Sequence, residues 1–589
     1  MKEKFGIKTN QCRFQILLIQ HRKYLSENES ALTFNNLSAK QIKLLKDKTI
    51  DMTYKQAQDI FNAKNYKDPD MMRGRQSMNP LTKLGLIQID KNKIIHLSNV
   101  GRKLYDGSIT WDDFVLDSLL KYQLPNPTTE GFKDWNIKPF IAILHLIKRV
   151  NQLCVSYGLK SKGISTEEFG IFALSLNDYK NIDKVANDLL SYRKNFEKIH
   201  PANYKNNHEY EIASEEYMKN FIEKYLFDFN NPVKNAYEYG DSMIRYLRQT
   251  KYILFRGKYD RQYIDLEPCR MIEIDSILAV DNASNKTYTK EQWQKYMGTY
   301  GAYELPFETI DKLTKIYDSI IPDIRTLENK LGKKVKLFEK PNIKDKLKAI
   351  IKIMREYRIE LKNLEIKFDY AYDTSKIEQT IKILSDLATN HKNDNMVSKP
   401  SIELEKWTNV ALNIINDAES IKPNFPMGDD NEPTFTAPAG VSDIECNYGK
   451  FGVICEVTML KGRDQWYNEG IPVMRHLRDY EDRFPNIPNY CLFIAPSIHE
   501  DTISTYWNAL KYEFKGKKQR IVPITIKQLT YILSLVKQLR ESRNNIYCEN
   551  ILDLYNRCID VSKINNSTQW LDYIDEELEK WRSQLLQNL

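Results

Sequence analysis

Three acids stand at equal intervals in the last third of the chain: Asp443, Glu456 and Glu469, each thirteen residues from the next. Carboxylate oxygens are hard donors that suit Mg²⁺, which takes one or two carboxylates and fills its other positions with water and substrate phosphate. Acids so placed could seat a divalent cation that also meets a substrate phosphate. Taken singly, an acid before a strand is usually a turn or cap residue, and one inside a strand usually faces solvent. Glu456 tips the balance. It lies in Val453-Ile454-Cys455-Glu456-Val457, a nearly continuous apolar run of the kind found in strands covered on both faces. A charge there must be paired, neutralised or metal-bound.

These acids need a scaffold, and the local sequence supplies a hairpin. Val441 to Cys446 reads as one strand, Asn447 to Lys450 as a turn with Gly449, and Phe451 to Met459 as the second strand. Alternation puts Glu456 and Thr458 on one face and Val453, Cys455 and Val457 on the other. Pairing of the strands brings Asp443 and Glu456 together at one edge of a sheet. Glu469 precedes a helical pattern that begins at Pro472, a residue suited to a first helical turn. That helix, Val473 to Phe484, carries Arg475, His476 and Arg478. Strands at 490–496 and 520–524 alternate with helices at 499–514 and 526–539, which predicts a mixed sheet flanked by helices.

The N-terminal half has a different character. Residues 37–65 read as helical. Arg73 and Arg75 lead into a short helix, Met78 to Leu84, that carries Lys83 and closes at Gly85. Two strand-like runs follow within Leu86–Leu97, then a helix from Asn99 to Tyr105. Helix, glycine, hairpin, helix is the order of a winged-helix unit, which lays one helix in the DNA major groove. Arg73, Arg75 and Lys83 would stand near the DNA, since guanidinium forks suit guanine edges and phosphates.

A helical cluster follows. It comprises an apolar helix over 136–150 ending in Lys148 and Arg149, a capping box at Ser165-Thr166-Glu167-Glu168, and a helix over 182–196. Residues 234–276 then repeat the first order: a helix with Arg245 and Arg248, a strand over 251–256, a turn, a strand over 262–266 and a further helix. From 306 to 395 lysine is dense. Leu347, Ile350, Met354, Tyr357, Leu361 and Leu364 form a helical seam, the mark of a long connector.

Length and composition set outer limits. A chain of 589 residues holds several domains. The net charge of +8 does not by itself demand nucleic acid, so the clustering of charge has to carry that reading. Eight cysteines without a Cys-x-x-Cys argue against a zinc cluster or a disulfide framework and for a reduced, cytoplasmic setting. No apolar run is long enough to span a membrane, and the N-terminus lacks the apolar core of a signal peptide.

One group of known proteins has this pattern. Ala437-Pro438-Ala439-Gly440-Val441-Ser442-Asp443, Glu456-Val457-Thr458, Lys461-Gly462, Glu469 with Pro472-Val473 and Arg475-His476, Cys491 to Pro496, and Arg520 to Ile524 with Lys527-Gln528-Leu529 keep order and spacing over some ninety residues. The chain resembles the AlwI group of type IIS restriction endonucleases, which includes nicking relatives. The resemblance implies a multidomain, mainly α protein. Residues 1–300 would be a DNA-recognition region, with winged-helix-like units near 67–107 and 234–280 and a helical unit at 136–198. Residues 301–395 would be a helical linker, and 396–589 an α/β nuclease domain of the PD-(D/E)xK fold.

By the same resemblance Asp443, Glu456 and the Val457 carbonyl hold Mg²⁺, Glu469 completes the site, and Glu405 adds an acid from the preceding helix. Thr458 stands where the wider fold has a lysine that assists the attacking water, which leaves Glu469 or Lys461 to orient or activate it. Arg73, Arg75, Lys83, Arg245 and Arg248 are the candidate DNA contacts. The partner is double-stranded DNA, with a transient homodimer or a smaller second subunit for cutting both strands. Two other readings stand beside a double-strand endonuclease: a strand-specific nicking subunit that needs a partner chain, and a non-catalytic DNA-binding protein.

Overall fold

The computed structural model describes residues 52–53 and 82–89. From 94 to 587 it describes all but short segments at 130, 160, 200–207, 226–230, 257–261, 392–395, 397–398, 416–417, 428–431, 434–435 and 438–439. The chain forms two compact units, Met1–Lys312 and Leu313–Leu589. No helix among the described residues is long and apolar enough to cross a membrane.

Among the described residues the first unit has two small antiparallel sheets of the same design. Strands β1 (Met52–Thr53), β2 (Ile87–Ile89) and β3 (Ile94–Leu97) lie in the order β1-β3-β2. Helices α1 (Asn99–Tyr105), α2 (Trp111–Lys121) and α3 (Pro139–Ser156) follow. Strand β4 (Ile164–Ser165) pairs in a second sheet, β4-β6-β5, with the hairpin β5 (Ile253–Arg256) and β6 (Tyr263–Leu266). Between them come α4 (Ile182–Ile199), α5 (His208–Tyr225) and α6 (Pro232–Gln249); α7 (Met271–Val280) and α8 (Lys290–Gly298) complete the unit. In each sheet a two-residue strand from upstream pairs with the second strand of a hairpin.

Local signals explain most of these boundaries. Ser165 accepts the Glu168 amide hydrogen and Glu168 reaches back to the Ser165 amide, so the capping box is present. Pro139 starts α3 where a missing N–H costs nothing. That helix runs on to Ser156, past Lys148 and Arg149, which pair with Asp275 and Asp183 instead of ending it. Gly85 has φ +80°, and a Cβ there would lie 2.4 Å from the Met297 carbonyl oxygen, so α8 packs where only glycine leaves room.

One expectation fails here. Met52 and Thr53, inside the stretch predicted helical, form a strand opposite Ile94 and Ile95. Pairing across the hairpin satisfies their backbone groups, and tertiary context of this kind overrides local propensity. The rest of 37–65, with Arg73 and Arg75, lies outside the described residues.

The division between units falls in the first turn of α9 (Ile310–Lys330). In the second unit α10 (Lys344–Tyr370), α11 (Thr374–Thr389) and α12 (Pro400–Ile415) lead into β7 (Ser420–Pro423), β8 (Ile444–Asn447) and β9 (Gly452–Val457). Helix α13 (Gly462–Arg483), β10 (Asn489–Ala495), α14 (Glu500–Lys511), β11 (Ile521–Thr525) and α15 (Ile526–Glu541) alternate after them, and α16 (Cys548–Ile559) and α17 (Trp570–Gln587) end the chain.

The five strands form one mixed sheet in the order β11-β10-β9-β8-β7. Strands β7, β8 and β9 run antiparallel, whereas β9, β10 and β11 run parallel. Central strands β9 and β10 are buried along nearly their whole length, as strands covered on both faces must be. Helices α12 and α15 pack on the sheet and against α11; α13 packs on β9 and β10 and against α14.

Candidate active site

The hairpin β8–β9 forms as the acid spacing predicts, but within the sheet, with β9 as its central strand, and not at an edge. Gly449 takes φ +72° in the turn. Ile444 is opposite Cys455 in the antiparallel register, which puts Asp443 opposite Glu456. Directly opposed residues of an antiparallel pair project from the same face. The Val457 amide donates to Asp443 Oδ2 at 2.8 Å, so Asp443 is tied to the strand that carries Glu456. Glu456 itself is buried at the centre of the sheet, level with Phe493 of β10. Thr458 continues the parallel pairing by donating its amide hydrogen to the Ile494 carbonyl.

Two helices add the remaining acids. Glu405, on α12, is buried, and its Oε2 accepts the Ala437 amide hydrogen at 2.8 Å. Glu469 lies within α13, which begins at Gly462, ten residues before Pro472. The expected start at Pro472 is therefore wrong, and the proline sits mid-helix. Its ring removes one helical hydrogen bond, but tertiary anchors hold the preceding turns in place. The Gln465 amide donates to the carbonyls of Leu460 and Ser497, and its oxygen accepts from the His499 amide. Trp466 Nε1 donates to Thr505, and the Tyr506 hydroxyl to the Glu469 carbonyl.

The four acids are near enough to influence one another's charge. Burial raises the Asp443 carboxyl well above its ordinary range, and the negative charges of Glu405, Glu456 and Glu469 add to the rise. Burial pushes Glu405 up to about 8; the Ala437 amide opposes this and Glu456 adds to it. Glu469 is raised to about 6 by burial, against the pull of a hydrogen bond from the Thr458 side chain.

A residue outside the predicted set joins them. His476 Nδ1 lies 2.8 Å from Glu456 Oε1. Burial alone would lower the imidazole pKa, but the Glu456 carboxylate outweighs it and the pKa is raised. His476 was legible only as a helical residue near the acids; its place seven residues, or two turns, after Glu469 is the signal that puts both on one face of α13.

Among the described residues no three His, Cys, Asp or Glu side chains converge into a ready-made metal cage. The donor chemistry nonetheless fits a hard divalent cation that keeps most of its water, because such an ion asks the protein for one or two carboxylates. Buried carboxyls that raise one another's pKa are a site short of positive charge.

Lys461 is exposed at the N-terminus of α13. Lys83 is buried in the first unit, not spread on an open basic face. Arg245 is exposed on α6 and pairs with Asp241 at 2.5 Å. Arg248, one turn on, stacks over Phe255 of β5 at 4.3 Å and donates to Gln262 at 3.1 Å, so it braces the second hairpin against its helix.

Comparison with known proteins decides the family. The sequence model of the AlwI restriction endonuclease family matches residues 82–532. The chain belongs to the AlwI restriction endonuclease family. As a member it is a sequence-specific DNA endonuclease, a hydrolase of phosphodiester bonds.

Among solved structures, one match is the small subunit (R.BspD6I2) of the heterodimeric restriction endonuclease R.BspD6I. It has 20% identity and a TM-score of 0.27, covering 36% of this chain and 99% of that one. Another is the BpuJ1 endonuclease binding domain, solved with pyrene- and phenanthrene-modified DNA. It has 12% identity and a TM-score of 0.32, covering 50% of this chain and 96% of that one. No curated protein matches the sequence.

Proposed function

We propose that this AlwI-family endonuclease is a Mg²⁺-dependent type IIS enzyme, which reads a short asymmetric site with its first unit and hydrolyses the backbone outside that site with its second. The observation that carries this reading is the placing of Asp443 opposite Glu456 on the β8–β9 hairpin, with Glu469 and Glu405 brought to the same cluster. The two hairpin sheets of the first unit, each with a short upstream strand and a helix nearby, support a winged-helix-like mode of DNA reading. The five-stranded mixed sheet with helices on both faces supports a PD-(D/E)xK-type nuclease domain.

Each side chain then has a distinct task. Asp443, Glu456 and the Val457 carbonyl would hold the cation. When bound, Mg²⁺ neutralises charge that develops on the scissile phosphate. Asp443 keeps its orientation through the Val457 amide, and Glu456 through His476. Glu469, raised to about 6 and hydrogen-bonded to Thr458, is ionised near neutrality and takes the proton of the attacking water in place of the absent lysine. Glu405, raised to about 8, adds a carboxyl that ionises once positive charge enters the cluster.

Among the described residues there is one such cluster, and one cluster cuts one strand per engagement. This favours a second reading beside the first: the chain alone nicks, and cutting both strands takes a second copy or another subunit. Incubation with a mapped supercoiled plasmid and Mg²⁺, followed by sequencing of the ends, tests both. Breaks at a constant offset from a common short sequence are expected, as open circles for a nicking chain and as linear DNA at higher concentration for a dimer. Breaks without a common neighbouring sequence would refute the type IIS reading.

A further inference from the structure

The second unit carries a basic strap that the cleavage chemistry does not use. Between α9 and α10 the chain runs without regular structure, from Leu331 to Ile343. This segment and the first residues of α10, Leu331 to Lys348 together, form the strap and carry seven lysines (333, 334, 336, 340, 344, 346 and 348) against two acids, Glu339 and Asp345. That is a net of plus five in eighteen residues, where the whole chain has +8. All seven lysines are exposed.

The strap's backbone is held in a fixed shape. Glu328, 1% exposed on α9, accepts the Lys336 amide hydrogen at 2.8 Å, a guanidinium hydrogen of Arg325 at 2.5 Å and the Tyr357 hydroxyl at 3.1 Å. Arg325 also donates to the Lys336 carbonyl and the Tyr317 hydroxyl to the Phe338 carbonyl. The Phe338 ring packs on Tyr357 at 5.8 Å. Three backbone anchors within Lys336–Phe338 thus fix the segment, while Lys333 and Lys334 project into solvent.

Burying a carboxylate to fix an exposed loop is costly unless its acceptors are satisfied, as here. A lysine row on a fixed backbone loses less freedom on meeting phosphates than one on a mobile loop. A face of one sign of charge fits a polyanion, and the established substrate of this family is DNA.

We propose that this strap binds the phosphate backbone of the duplex flanking the recognition site, on the side where cleavage occurs. The proposal rests on the type IIS reading above, because it needs DNA to pass from the first unit's site to the second unit. It assigns the strap to backbone contacts, which position DNA without reading its sequence.

The test uses the full-length chain with Lys333, Lys334 and Lys346 changed to alanine. Lys336 and Lys340 are left alone because they lie over Tyr357 and pair with Asp318. Affinity is measured against salt on two duplexes, one ending at the recognition sequence found by cut mapping and one extending past the cut. On the long duplex the slope of log affinity against log salt should fall in magnitude by about 3, near 0.9 for each lost phosphate contact. The short duplex should bind variant and wild type alike. An unchanged slope on the long duplex, or equal loss on both, would overturn the proposal. Failure of the type IIS reading shows up separately, as wild-type breaks without a constant offset. Melting of the variant at the wild-type temperature confirms that the exposed substitutions leave the fold intact.

Discussion

The Asp443 carboxylate accepts the Val457 amide hydrogen at 2.8 Å, so the residue after Glu456 orients the acid opposite it. The site thus depends on strand register: a slip of one residue would turn Glu456 to the other face. Asp443→Asn and Glu456→Gln should each cut plasmid cleavage roughly 10³-fold or more. DNA binding at low salt should stay within about threefold of wild type, since the first unit, proposed to read the DNA, is untouched. Gel-shift and plasmid assays on the same preparations check this. Cleavage by Glu456→Gln at the wild-type rate would remove the assignment.

His476 touches Glu456, and its proposed role is to orient that carboxylate. Replacing His476 with alanine should lower activity or cation affinity by roughly 10- to 100-fold, the usual cost of losing a partner that orients a metal-binding carboxylate. The half-saturating Mg²⁺ concentration should rise, and His476→Gln, which keeps a donor, should recover part of the loss. An unchanged Mg²⁺ dependence in His476→Ala would show the contact to be incidental.

Glu405 makes stability pH-dependent in the absence of divalent cations. Its carboxyl is raised to about 8 from an ordinary 4.5, so the folded state holds a proton that the unfolded chain has released. The corresponding stability is full below about pH 4.5 and is lost as pH rises toward 8, a change on the order of a few kcal/mol. Glutamine resembles the protonated form. The Glu405→Gln protein should therefore melt above wild type at pH 8 and near it at pH 5, and Mg²⁺ should narrow the difference. Differential scanning calorimetry at the two pH values measures it.

Lys121 holds the first unit together from inside. Its side chain is fully buried, pairs with Asp117 at 2.6 Å, and donates to the carbonyls of Met297 and Thr299 at 2.9 and 3.0 Å. Burial lowers the Lys121 pKa and raises that of Asp117, so neither charge is tolerated without the other. Lys121→Met should cost about 3–5 kcal/mol by stranding the carboxylate. Adding Asp117→Asn should restore part of it, as read from urea unfolding. A single variant as stable as wild type would show that the pair bears no load.

Much of the geometry of the candidate site was legible in the sequence because strands and hairpins are short-range objects. The turn at Gly449, the apolar run around Glu456 and the thirteen-residue spacing are enough to bring Asp443 and Glu456 onto one hairpin. The capping box at Ser165 and the hairpins near 86–97 and 253–266 were legible for the same reason. Three matters were decided only by tertiary structure. Met52–Thr53 became a strand because a distant hairpin supplied its hydrogen bonds. Helix α13 began ten residues before Pro472 because Gln465 and Trp466 are anchored by the loop and helix after β10. His476 met Glu456 because docking of α13 on the sheet chose which helical face points at the acids. Local pattern sets which side chains share an element's face; the packing of elements decides which faces meet, and that depends on contacts between residues far apart in the chain.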